Sequence, residues 1–233
     1  LMASPVVQEF TGSTGTNVSP VVFNLATAQT NYVALLLIYN ERAGSPGATT
    51  TVTSSNVAWT LRIRSNSSTS GCLELYWAHG TTSPVNASIT FSSSYDDHAA
   101  IISVYSGCAA APFDPNASVP AKRSSTTTTW TPSFTNISTT NADDLLLFLY
   151  GQAGGNGTPA AGFTTILTTG TGGGAWGARV NLDVRSVSAV QANATFTLGS
   201  AVGGFGSAGE AIFDALTADA PAGAKSAILL AGL

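Results

Sequence analysis

The stretch IISVYSGCAAAPFDP, residues 101–115, runs an apolar strand into a lone cysteine and then a proline-flanked aspartate. A nucleophilic cysteine needs a neighbouring base and an electropositive setting that stabilises the thiolate. The chain offers only His79 and His98 as imidazole bases. His98 begins the strand that ends near Cys108, so at ~3.3 Å per residue the two lie some 30 Å apart. Nothing in the spacing positions His79. The sequence therefore gives Cys108 no catalytic partner. The second cysteine, Cys72, begins another strand. A plain meander would separate it from Cys108 and a crossed sheet topology would join them, so a Cys72–Cys108 disulfide stays open as an alternative to two small apolar thiols.

Carboxylates come next. Asp96 and Asp97 precede His98, and Asp143 and Asp144 precede an apolar strand, as metal ligands might be expected to do. Neither group has the ligand spacing of a calcium loop, and aspartate is a routine turn residue because its side chain bonds nearby backbone N–H groups. Glu74, Asp183 and Glu210 sit on strands, but the pattern brings no two of them to the separation that glycoside hydrolysis requires. The glycine-rich GTGGGAWG, from residue 170, has no following Gly-Lys-Ser/Thr and opens no helix, so it reads as a hairpin connection rather than a phosphate loop. No catalytic residue, metal ligand or cofactor is expected. Trp130, set among hydroxyls in TTTTWTPSF, is the one tryptophan outside an alternating strand and the candidate platform for stacking a sugar.

The elements that must carry these residues are strands. Apolar and polar residues alternate with period two, the sign of a half-buried strand, in VAWTLRIR, GCLELYWA and AWGARVNLDVR. In the first, Trp59, Leu61 and Ile63 are expected on one face. In the second, Leu73, Leu75 and Trp77 oppose Glu74 and Tyr76. In the third, Trp176, Ala178, Val180, Leu182 and Val184 face in while Arg179, Asn181, Asp183 and Arg185 face out. Two runs, VALLLI and LLLFL, do not alternate, so both of their faces must be covered, either by the chain's own loops or by another subunit.

The order of segments repeats. NYVALLLIYNERAG, VAWTLRIR, LELYWA, ASITFSS and AAIISVYSG answer to DDLLLFLYGQAG, GFTTILTT, ARVNLDV, NATFTLG and GEAIFDAL. The expectation is an all-β chain: one jelly-roll-type β-sandwich, residues 1–218, built from similar halves of about 31–107 and 143–216. The halves are joined by the stretch from about Ala111 to Thr140. Residues 219–233 read as a linker and an apolar tail, with Ile228, Leu229, Leu230 and Leu233 inserting into a neighbour or forming a last strand.

Composition narrows the function. Of 233 residues, 9% are charged, against roughly 25% in ordinary soluble domains. The net charge is −4 and the basic residues are scattered, with Arg62/Arg64 and Lys122/Arg123 the densest pairs. That excludes the basic stripe a nucleic-acid surface needs, and no apolar run has the length of a membrane span. The opening LMASPVVQEF lacks the features of a signal peptide.

The chain resembles β-sandwich modules of bacterial secreted proteins and of fibre and decoration proteins of tailed phages. The resemblance lies in ALLLIYN, AWTLRIRS, CLELYWA, ASITFSS, AAIISVYSGCAAAPFD and ADDLLLFLYG, over about residues 19 to 216. It implies a sandwich and no catalytic set, and it makes Cys108 a packing residue at a sandwich corner. The functional expectation is a non-enzymatic structural protein of a virion surface, contacting copies of itself or other virion proteins. The alternative is a secreted module that binds surface glycans.

Overall fold

The structure, a computed structural model, describes residues 4–16, 19–25, 31–41, 48–66, 71–80, 85–95, 97–127, 129–155, 157–171, 177–203 and 209–219. Among them there is no helix. The first half supplies β1 (Val6–Thr16), β2 (Val21–Asn24), β3 (Tyr32–Glu41), β4 (Thr50–Thr53), β5 (Thr60–Asn66), β6 (Gly71–Gly80), β7 (Asn86–Phe91) and β8 (Asp97–Ser106). After it come β9 (Cys108–Phe113), β10 (Ala121–Ser125), β11 (Thr129–Trp130), β12 (Ser133–Ile137) and β13 (Asp144–Ala153). The last are β14 (Thr164–Gly170), β15 (Ala178–Ser186), β16 (Ala194–Thr197), β17 (Val202–Gly203) and β18 (Gly209–Ala218).

Two large antiparallel sheets form the middle of the molecule. Their strand orders are β1-β8-β3-β6-β5 and β10-β18-β13-β15-β14, with β9 also pairing β18. The halves therefore share one topology, and the stretch expected to be a connector contributes strands β9 to β12. The sheets pack face to face through Leu35, Leu37, Leu73, Leu75 and Ile101 on one side and Leu147, Leu149, Val180, Leu182 and Ile212 on the other. Burying each such side chain contributes about 1.5–3 kcal/mol, which makes this layer the main store of stability.

Each large sheet also has an outer cover. The three-stranded sheet β2-β7-β4 lies over the first and buries Val21, Phe23 and Ile89 against Leu36, Ile38 and Ile102. The ribbons β12-β16 and β11-β17 lie over the second, where Phe134, Phe148, Phe163, Phe196 and Phe213 form one edge-to-face and stacked cluster. This explains the two non-alternating runs: every residue of β3 and of β13 is buried, and the chain itself covers both faces.

Cross-sheet contacts are related by an approximate two-fold. β1 lies over β14 as β10 lies over β5, β8 over β15 as β18 over β6, and β3 meets β13 in the middle. One chain thus forms the kind of self-complementary interface that two identical subunits form around a two-fold axis.

Two expectations about faces fail for identifiable reasons. A bulge between Leu61 and Ile63 breaks the alternation of β5, so Trp59 packs in the outer core, Ile63 in the central one, and Leu61 is exposed. Glu74, Tyr76, Asn181 and Asp183, expected to face out, are buried because their side of the sheet is covered as well. The disulfide is absent too: both cysteines are free, Cys72 pairing with Asn40 and Asn66 in one sheet and Cys108 with Ala218 in the other.

Candidate functional site

Where β5 meets β10, the two large sheets close on a cluster of charges. The bulge at Leu61/Ile63 turns Arg62 toward the opposite sheet and Arg64 away from it. Arg62 donates two hydrogen bonds to Asp214, Nε–Oδ2 at 2.9 Å and Nη2–Oδ1 at 3.2 Å, and its guanidinium lies 4.2 Å over the Phe113 ring. Asp214 is fully buried. Burial raises its pKa, while the Arg62 fork and the N–H of Ala215 pull it back. Arg64 is paired with Glu74, which also accepts from the N–H and hydroxyl of Thr50. Ser65 Oγ donates to Glu210 Oε2 at 2.6 Å.

Beyond these pairs, Lys122 Nζ donates to the Arg64 carbonyl at 3.1 Å and Arg123 Nη1 to the Lys122 carbonyl at 3.4 Å. Neither cation has a carboxylate partner among the described residues. They line, with Ser65, Asn66 and Ser124, an open pocket of about 330 Å³.

The two-fold supplies a control for this seam. The same bulge recurs in β14, between Thr165 and Leu167. With the bulges superimposed, the ladders align residue for residue. Ile166 then takes the place of Arg62, and Ser103 that of Asp214. Thr168 stands for Arg64 and Asn181 for Glu74, and Thr168 Oγ1 does donate to Asn181 Oδ1, at 2.5 Å. Ala99 replaces Glu210. Gly12 and Ser13 replace Lys122 and Arg123. At these aligned positions the β1–β14 seam carries no charge, and it closes by the close approach of Gly12 to Thr169.

The other candidates from the sequence have structural surroundings. Burial pushes the Cys108 thiol up to about 12, which disfavours the thiolate, and the Cys72 thiol is raised for the same reason. His98 is buried against Phe91 and Tyr95, with its pKa lowered by burial. His79 is exposed on β6, and Asp97 accepts from Thr16 Oγ1 at 2.6 Å. Asp96, Trp176 and the tail residues Ile228, Leu229, Leu230 and Leu233 lie outside the described residues. Asp183 is raised to about 6 by burial, with the Thr165 hydroxyl opposing. Trp130 is half-buried against the outer aromatic core, its indole nitrogen packed on Gly209.

Asp144 does find a partner, across the chain. Gly107, at φ +74°, turns β8 into β9, and the corner that follows brings Asp114 to the head of β13. Asp114 accepts the backbone N–H groups of Asn116, Thr140 and Asn141 at 2.8, 2.8 and 3.0 Å, and the Asn141 amide at 3.1 Å. Burial works to raise its pKa, but these donors outweigh it and hold the carboxylate below its usual range. Asp144 lies against Asp114 and Thr217. Burial first and Asp114 second push it up to about 7, so of the two it is Asp144 that takes up the proton as the pH falls below neutral. The PFDP corner and the DDLLL strand, distant in sequence, are one bolted joint. Among the described residues no three His, Cys, Asp or Glu side chains converge as a metal site.

No protein-family model, curated protein or solved structure matches the chain. The Lys122/Arg123 pocket was not foreseen from the sequence. Its signal was there as two basic doublets, but nothing in the linear pattern brought them together.

Proposed function

We propose that the protein is a non-enzymatic structural protein of a virion surface, of the head-decoration or fibre type, which joins its neighbours through the open edge of β1. We read each half as jelly-roll-like, since the order β1-β8-β3-β6 over β2-β7-β4 is that of a hairpin folded back on itself. The observation that carries the assembly reading is the β1 edge. It is eleven residues long, it has no strand on its outer side among the described residues, and Val6 and Phe10 are 54% and 44% exposed on it. A long unpaired edge with apolar side chains is a template for another strand. The corresponding edge of the other half is broken into β9 and β10, with Pro112 inside β9 and Pro115 and Pro120 in the corner between them, residues that lack the N–H a new strand would need. The apolar tail residues remain a proposed second contact. Placement on a virion is supported by the sequence resemblance and the sparse charge. Antibody labelling of purified particles tests it: label at regular surface positions supports it, and label only in the soluble fraction overturns it.

One observation favours a glycan-binding module instead. Val22, 56% exposed, and the polar side chains of Asn24, Thr53, Ser54, Asn86 and Ser88 line an open groove of about 370 Å³ on the β2-β7-β4 cover. Saturable binding of a neutral saccharide, lost on substitution of Asn24, would carry that reading. The half-buried Trp130 would not be its platform.

A further inference from the structure

We propose that the strand taken up by the open edge of β1 is β1 of a second copy of this chain, paired antiparallel about a two-fold axis at Ser13, a proposal that rests on the assembly through β1 put forward above. An edge is completed by another edge of matching length, with no cation or proline in the way and no like charges opposite one another. β1 is bulged between Val7 and Glu9, but beyond the bulge its ladder runs unbroken from Phe10, paired with Ser103, to Thr16, paired with Asp97. That regular run, FTGSTGT, holds no charged residue. The other edges among the described residues do not match it. β5 has a bulge of its own and carries Arg62 and Arg64. β9 contains Pro112, and β10 carries Lys122 and Arg123, the residue types that keep an edge from pairing. β14 is uncharged, but its bulge between Thr165 and Leu167 leaves only Leu167–Gly170 regular. In the outer covers β2, β4 and β16 have four residues each and β12 has five. The one regular run equal to that of β1 is β1 itself.

Charge fixes the direction of pairing. Parallel strands in register would set Glu9 beside Glu9 of the partner subunit, whereas antiparallel strands send the two carboxylates to opposite ends, ~26 Å apart along the strand at ~3.3 Å per residue. Full overlap of the regular run sets Ser13 opposite its own copy, Gly12 opposite Thr14 and Phe10 opposite Thr16. Opposed residues then share a face, as the pleat requires. A two-fold of this kind stands perpendicular to the sheet, so it also sets β14, which lies across the seam from β1, beside its own copy. β14 brings no charge to that contact. At the opposite side of the sandwich, the same operation would drive Arg62, Arg64, Lys122 and Arg123 of two copies together. The molecule therefore has one closing side and one protected side, and a contact that uses the same strand on both copies closes at two.

The test is cross-linking of the full chain with a short bismaleimide in the single variants Thr11→Cys, Ser13→Cys and Thr16→Cys, with the natural chain, whose Cys72 is buried and Cys108 half-buried, as background. Covalent dimer should be most abundant for Ser13→Cys. It should fall for Thr11→Cys, whose copies stand ~13 Å apart along the strand, and be lost for Thr16→Cys, at ~20 Å. A second pair of variants uses charge. Ser13→Lys and Ser13→Asp, each alone, should lower the mass of the assembly in light scattering, and an equal mixture should restore it, because a residue on a two-fold meets only its own copy. Cross-linking that is absent at Ser13 or equal at all three positions, or a mixture that regains no mass, overturns the self-pairing. In that event an assembly that Phe10→Lys still dissociates uses the β1 edge with a different partner strand, and one that Phe10→Lys leaves intact overturns assembly through this edge as well.

Discussion

The two seams of the double sandwich are built on the same strands, the same ladders and the same bulge, yet one is charged and the other is not. At β5–β10 the cross-sheet contact is Arg62 on Asp214; at β1–β14 the equivalent residues are Ile166 and Ser103. The neutral seam proves that closing the sandwich needs no ion pair. A buried pair is in any case weak support for a fold, because removing two charges from water costs about as much as their attraction returns. The difference therefore separates what the fold requires from what the seam does in addition. The charged seam borders an open pocket lined by Ser65, Asn66 and Lys122, and the neutral one lies beneath the open edge of β1.

The comparison breaks most visibly at Arg62. Arg62→Ile alone should cost about 3–5 kcal/mol, because it leaves the buried Asp214 without its charge partner. Adding Asp214→Ser, which completes the neutral seam's pair, should restore most of that loss. Urea unfolding of the single and double variants checks both; a double variant as unstable as the single one would mean the seams are not interchangeable.

A smaller effect is expected at the opposite seam. A Cβ at Gly12 would lie 2.9 Å from the Cβ of Thr169, inside contact distance, so Gly12→Val should overpack it by about 1–3 kcal/mol. The equivalent Lys122→Gly in the charged seam should change stability by no more than about 0.5 kcal/mol, as surface substitutions do. Equal melting temperatures for the two variants would contradict the alignment of the seams.

A third effect depends on pH and compares the heads of the two central strands, Tyr32 in β3 and Asp144 in β13. Asp144 is raised from 3.8 to about 7 in the folded chain. The folded state therefore binds its proton more tightly than the unfolded one. The stability it contributes is complete below about pH 4 and is lost as the pH rises through about 7. Asp144→Asn, which cannot ionise, should gain stability relative to the natural chain between those limits and hold the gain at pH 8. Parallel stability–pH curves would mean that Asp144 is not the group that titrates.

Much of the layering was legible in the sequence. VALLLI and DLLLFLY became β3 and β13 because an unbroken apolar run can only be a strand covered twice, and the repeated order of segments became two sheets of one topology. Alternation was less reliable about faces. It assumes an unbroken pleat, which the bulges of β5 and β14 interrupt. It also says which side of a strand is polar, not whether that side is solvated: Glu74 and Asp183 are polar and buried. The charged seam was not legible at all. Arg64 and Lys122 stand 58 residues apart and meet only because the second sheet packs on the first in reversed order. The Asp114–Asp144 joint escaped for the same reason, each aspartate reading by itself as an ordinary turn residue.

The account rests most heavily on the open edge of β1, and light scattering on the purified full chain tests it most directly. It predicts a dimer or larger assembly that falls to the monomer mass in Phe10→Lys, a change on an exposed residue that leaves the sandwich folded. A full-length chain that is already a monomer, or an assembly whose mass Phe10→Lys does not change, would contradict assembly through this edge.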